Sequence, residues 1–255
     1  MKSPLPITNL LSYLGLVVVN FLAIQVPFFG RTPGDVSDLY PNSFTPPDFS
    51  FSIWSFIYLL LGVFAFTQAK NLTRPEQPLA PETKAISYFF AGSCCCNFGW
   101  LLSWQSLHIG LSFLLIFLLW LLLVLLYYRL AILERARWTF TLPFSIYLAW
   151  IAVAGLANLN VLLLDAGFGF WGLSPENWTA SLVGLGTFGG LLVLYLNKDI
   201  YFILVLIWAF LGIYVKNQSL ATDSNIIVTT AITGIIILVV AGAGVGVKSI
   251  LLEKN

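Results

Sequence analysis

The run Gly110–Tyr128, GLSFLLIFLLWLLLVLLYY, contains no charged side chain and ends against Arg129. About 20 such residues, each rising ~1.5 Å along a helix, cross the ~30 Å hydrocarbon core of a bilayer. The stretch therefore reads as a membrane-spanning helix, and seven similar runs surround it: 7–29, 50–69, 85–107, 139–160, 178–197, 200–215 and 225–247. None of them holds Asp, Glu, Lys, Arg or His, and 200–215 is the shortest. With 59% hydrophobic and 9% charged residues and a mean hydropathy of +0.91, the chain of 255 residues has too little polar surface to cover a water-soluble globule. Barrel strands would be shorter and would alternate in polarity. The expected fold is all-α, a polytopic transmembrane bundle of about eight spans whose backbone is satisfied within each helix.

Charge gives the orientation. Lys2, Lys70, Arg74, Lys84, Arg129, Arg135, Arg137, Lys198, Lys248 and Lys254 fall at the N-terminus and in the even-numbered connections, against only Arg31 and Lys216 on the other side. By the positive-inside rule both termini are expected in the cytoplasm. Asp35, Asp38, Asp48, Asp165, Glu176 and Asp223 lean outward, though acidic residues weigh little in that rule. The first run is too long for a signal-peptide core and lacks a small-x-small cleavage site, so it reads as an uncleaved span. Cys94, Cys95 and Cys96 are adjacent, and neighbours about 100° apart on a helix cannot bridge or share a metal; they read as reduced packing residues. No internal repeat or soluble domain is evident, and nothing suggests a nucleic-acid partner at a net charge of +1.

Polar and aromatic residues mark three of the spans. Pro46 and Pro47 preset an extended entry into the second span, where Trp54 and Tyr58 share a face at i and i+4. In the third, Asn97, Trp100 and Trp104 form one stripe, while Ser87, Ala91, Cys95, Gly99 and Ser103 form another on roughly the opposite side. The small-residue stripe permits close approach of helices, within the bundle or in a homodimer through Ala91, Cys95 and Gly99. Asn97, in hydrocarbon, needs a partner from a neighbouring helix or a ligand. In the fifth span Tyr147, Trp150, Ala154 and Asn158 share a face, and Pro143 is expected in the first turn, where its missing N–H costs little. In the expected orientation these residues occupy the outer half of the membrane or its rim. Aromatic walls with a few uncharged polar groups suit a flat, mostly apolar ligand, and any one of these rings alone would serve as well as an interfacial anchor.

In this order, Phe44-Thr45-Pro46-Pro47, Ile53-Trp54 followed by Tyr58, Asn97 followed by Trp100, and Tyr147-Leu148-Ala149-Trp150 followed by Ala154, Leu159 and Asn160 resemble the translocator protein family, also called TspO or tryptophan-rich sensory protein. The resemblance covers about residues 5–160. It implies a five-helix core that binds porphyrins, sterol-like molecules and synthetic aromatic ligands, with Trp54, Tyr58, Asn97, Trp100, Tyr147 and Trp150 at or near the cavity, and often a homodimer through the third helix. A TspO-like domain at 1–160 and an extension with three helices at 161–255 are the domains expected. Phe44 stands where the family's loop has Trp, Pro143 stands four residues before Tyr147 rather than next to it, and the sterol-recognition motif of animal members is missing after Asn160.

The functional expectation is a non-enzymatic protein that binds a planar hydrophobic molecule such as a tetrapyrrole, with no cofactor required beyond a porphyrin- or haem-like ligand. The candidate ligand-binding residues are Pro46, Pro47, Trp54, Tyr58, Asn97, Trp100, Trp104, Tyr147, Trp150 and Asn158. Two alternatives stay open. An uncoupled transporter of a neutral or amphiphilic solute would use the helices as a pathway, although ion-coupled carriers place ionisable groups or broken helices at mid-membrane. A membrane enzyme acting on a lipid or porphyrin would need an acid or base, and only His108 in an outer turn and Asp48 beside the prolines are near.

Overall fold

The computed structural model describes residues 3–73, 77–133, 135–218 and 226–252. Lys2, Arg74, Asp223 and Lys254, which entered the orientation count, lie outside the described residues, as does the side chain of Lys248. Among the described residues, seven helical segments are long and apolar enough to span a bilayer. They correspond to α1 (Leu5–Gln25), α3 (Ile53–Thr73), α6 (Ile109–Ala131), α7 (Trp138–Asp165), α8 (Pro175–Asn197), α9 (Ile200–Gln218) and α10 (Ile226–Leu252). Two short helices, α2 (Pro33–Asp38) and α4 (Pro81–Ile86), and the 17-residue α5 (Phe89–Gln105) complete the set. The chain is a helical, multi-pass membrane protein.

The run expected over 85–107 is divided. Helix α4 ends at Ser87, whose backbone is left-handed at φ 50°, and the chain restarts as α5 at Phe89. At 17 residues α5 is about 25 Å long, the shortest of the eight long helices. Pro143 also departs from expectation, because α7 already begins at Trp138 and the proline lies inside the helix. Its ring nitrogen leaves the carbonyl of Thr139 without the usual i+4 donor.

Two contact-dense units divide the chain. One comprises the described residues up to Tyr40 and Ile53–Leu162; the other comprises Pro41–Ser52 and the described residues from Leu163 onward. In the first, α1 packs on α3 and α5, α5 lies along α6, and the short α2 and α4 rest on α5 and α6. Four fully buried phenylalanines tie α3, α5 and α7 together: Phe64 meets Phe90 at 5.0 Å, Phe144 at 4.9 Å and Phe140 at 5.7 Å, all edge to face. That geometry sets the positive ring edge against the negative face. At the start of α7, the buried Glu82 accepts from the backbone N–H of Arg137 at 3.1 Å and from its Nε at 2.9 Å. Burial by itself would raise this carboxyl's pKa, but the hydrogen bonds and charge of Arg137 hold it below its ordinary value.

In the second unit α8, α9 and α10 pack against one another. Gly186 lies under the ring of Phe210, and Gly190 is closed in by Leu206 and Ile203 of α9 and Leu238 of α10. A Cβ at either glycine would push into these side chains, so this G-x-x-x-G pair is a packing seam within the unit.

The structure reveals one local recurrence that the sequence reading passed over. Phe28-Phe29-Gly30-Arg31-Thr32-Pro33-Gly34-Asp35 and Phe170-Trp171-Gly172-Leu173-Ser174-Pro175-Glu176-Asn177 fold alike. Each begins with a 3₁₀ turn whose middle aromatic residue is left-handed (Phe29 φ 56°, Trp171 φ 54°), followed by a left-handed glycine (Gly30 φ 72°, Gly172 φ 79°). Each then caps a helix that starts with proline: Thr32 Oγ1 accepts from Asp35 N at 3.1 Å, and Ser174 Oγ accepts from Asn177 N at 3.2 Å. Glycine has no Cβ to oppose that backbone, whereas the aromatic residue is strained by it.

Candidate functional site

The site is built from α1, α3, α5 and α7. The i, i+4 spacing on α3 stacks Trp54 on Tyr58, with ring centroids 5.6 Å apart. From α5, Trp100 stacks on the same indole at 6.2 Å. From α7, Tyr147 and Trp150 approach it edge-on at 6.1 and 6.4 Å. Trp54 is thus the hub of a five-ring cluster. Tyr147 and Trp150 are fully buried and Trp100 nearly so, whereas Trp54 and Tyr58 keep part of their surface accessible.

Asn97 joins this cluster to α1. Its Oδ1 accepts from Asn20 Nδ2 at 2.9 Å, and its Nδ2 donates to the hydroxyl of Tyr147 at 3.3 Å. Asn20 Nδ2 also donates to the carbonyl of Leu16. A fully buried amide in an apolar layer is tolerated because its oxygen and nitrogen both find partners. Asn20 was not among the residues singled out in the sequence. The available signal was an amide within the otherwise apolar run 7–29, which in hydrocarbon requires a partner. The indole N–H of Trp100 is buried and finds no hydrogen-bond partner among the described residues. Such a donor forgoes about 1–3 kcal/mol of solvation unless an acceptor reaches it.

The remaining candidates lie elsewhere. Trp104 donates its indole N–H to the carbonyl of Pro33 at 3.0 Å and packs with Val36, Ile109 and Val161. Beside it, Gln105 donates to the carbonyls of Ala23 and Arg31. Together they fasten the end of α5 to the last turns of α1 and to the segment that follows it. Asn158 accepts from Ser112 Oγ at 3.2 Å and so joins α7 to α6. Pro46 and Pro47 belong to the second unit, where they lie against Gly212 of α9. Trp104 and Asn158 share helical faces with the clustered rings by their spacing in the sequence, but a face continues along the whole helix while a ring reaches only its own level.

The small-residue stripe of α5 also divides. Gly99 lies under Leu115 of α6, while Cys95 is exposed and Ala91 partly so. His108 Nδ1 shares a hydrogen bond with Ser106 Oγ at 2.8 Å in the turn between α5 and α6. Among the described residues no three His, Cys, Asp or Glu side chains gather as a metal site would require. Chemically, the cluster offers apolar ring faces, the unpaired N–H of Trp100 and two phenols, with no carboxylate or histidine among Trp54, Tyr58, Asn97, Trp100, Tyr147 and Trp150.

A family model described as TSPO-like protein matches residues 6–243, most of the chain. The chain belongs to this TSPO-like family. The match runs past residue 160, so α8, α9 and most of α10 fall inside it rather than beyond it. No curated protein and no solved structure matches the chain.

Proposed function

We propose that the protein binds a planar, mostly apolar molecule of the tetrapyrrole class at the Trp54-centred cluster, for sensing or transport. The observation that carries this reading is the arrangement around Trp54: four rings converge on one accessible indole, and the nearby Trp100 N–H lacks an acceptor. A flat conjugated ligand would exchange ring–ring contacts within the cluster for contacts with itself, by stacking and shape rather than ion pairing. A peripheral carbonyl or carboxylate on it would serve the unpaired N–H. Membership of the TSPO-like family supports the same reading. It assigns no catalytic residue and requires no resident cofactor.

The distribution of Lys and Arg supports cytoplasmic termini and a cluster in the outer leaflet half. A homodimer would meet along Ala91, Cys95 and Gly99, of which Cys95 is exposed and Gly99 lies partly under Leu115 of its own chain. The decisive experiment is a titration of tryptophan fluorescence with protoporphyrin in detergent or nanodiscs. Quenching should saturate, and Trp100→Ala and Trp150→Ala should each weaken it. Quenching that never saturates and ignores both substitutions would rule the reading out.

A further inference from the structure

Residues 42–47 have neither helix nor sheet to satisfy their backbone, and a 3₁₀ turn over Asp48–Ser52 follows them. The donors are met locally: Asn42 Oδ1 accepts from Phe44 N at 3.0 Å and Thr45 N at 2.8 Å, Ser50 N reaches the carbonyl of Pro47 at 2.9 Å, and the two prolines have no N–H. Three of the carbonyls are met by α9. Asn217 Nδ2 donates to Ser43 O at 2.9 Å, Lys216 Nζ to Thr45 O at 2.9 Å, and Trp208 Nε1 to Ser50 O at 3.0 Å. Trp208, Gly212 and Lys216 follow i, i+4, i+8 and make one stripe along the helix, with Asn217 beside it. Gly212 is the flat point of that stripe, since a Cβ there would collide with the Ser50 hydroxyl and crowd Pro46 and Pro47. The ring of Phe49 meets Trp208 edge-on at 5.7 Å.

We infer that α9 is a clasp for the double-proline segment, with Trp208, Lys216 and Asn217 as positioning residues that hold its carbonyls. Three side chains of one helix meeting three carbonyls within eight residues is more than a packed loop needs, and it matters at a membrane boundary, where an unmet carbonyl is expensive. The peptide chain carries the effect onward. Ser52 is bonded to Ile53, the first residue of α3, and Trp54 follows it, so loosening the segment at Ser43, Thr45 and Ser50 frees the stretch of chain from which α3 starts. The C-terminal helices are thereby given a task in ligand exchange, a step that rests on the proposed reading of the Trp54 cluster.

The test uses the full chain in nanodiscs and a triple variant, Trp208→Phe, Lys216→Met and Asn217→Leu, which removes the three donors while keeping most of the volume. Amide hydrogen exchange over 43–52 should quicken at least ~10-fold while amides of α7 stay unchanged, and protoporphyrin should dissociate at least ~5-fold faster, a change of about 1 kcal/mol. Unaltered exchange over 43–52 would overturn the clasp, and faster exchange with unaltered dissociation would overturn its link to the ligand. If the triple variant does not fold, Gly212→Ala should give the same two changes, and Lys216→Arg, which keeps a donor, should give neither. A wild-type protein that binds no protoporphyrin would sink the proposed function, while the exchange data would still decide the clasp.

Discussion

Two aromatic clusters stand on the same three helices and are built for different ends. Around Phe64, four phenylalanines from α3, α5 and α7 meet edge to face, all fully buried and without a polar atom among their side chains. Around Trp54, residues of the same helices bring indoles, phenols and an amide, and the central ring is partly accessible. The first arrangement has closed on itself and is a core. The second holds a buried N–H with no acceptor and a hub with surface to spare, so its own packing leaves interactions unmade. Ring count and helix identity are nearly shared; polarity and closure distinguish packing from a receptive site.

The comparison can be broken most directly at its first member. Phe64→Ala removes a ring that touches three others and should cost about 3–5 kcal/mol, read as a fall in the denaturant midpoint in mild detergent. Trp54→Ala, at a partly accessible position, should cost roughly half of that. Equal losses would erase the contrast. Next in size, Asn97→Leu strands the amide of Asn20 and the hydroxyl of Tyr147 and should destabilise by about 1–3 kcal/mol. The paired change Asn20→Leu with Asn97→Leu should recover part of that loss, and a double-mutant cycle checks it. For binding, Trp100→Ala should weaken protoporphyrin about 10-fold, or ~1.4 kcal/mol, whereas Phe90→Leu should leave affinity unchanged in the protein that remains folded.

The smallest effect concerns acid. Neither cluster contains a group whose ordinary pKa lies between pH 4 and 8, so loss of stability in that range has to originate elsewhere. Glu82 supplies acid sensitivity at and below the ordinary carboxyl value: its pKa is lowered in the folded protein, so its contribution is complete above the ordinary value and is lost as pH falls through the lowered one. Because Arg137 is half exposed, the contribution should stay below ~1 kcal/mol. Thermal scans of Glu82→Gln should lose this acid dependence while its porphyrin affinity matches wild type.

The sequence carried much of this. The apolar runs located every long helix, because crossing hydrocarbon sets a length and forbids charge. Helical periodicity put Trp54 with Tyr58, Asn97 with Trp100 and Trp104, and Tyr147 with Trp150 and Asn158 on shared faces; the resemblance to the family that the matching family model establishes singled out Trp54, Tyr58, Asn97, Trp100, Tyr147 and Trp150. It could not tell that Trp104 bonds to Pro33, that Asn158 answers Ser112, or that Pro46 and Pro47 lie against Gly212, more than 160 residues later in the chain. The break at Ser87 escaped it too, since nothing in an apolar run announces a left-handed residue.

What the amino-acid order determined by itself is each helix and the face it offers, because in lipid a helix meets its own backbone needs and only its length and polarity are under test. Which face meets which was decided by tertiary packing. The hydrophobic effect does not rank one apolar helix pair above another inside a bilayer, so partners are chosen by close fit, by the amide of Asn97 finding Asn20 and Tyr147, and by carbonyls finding donors on α9.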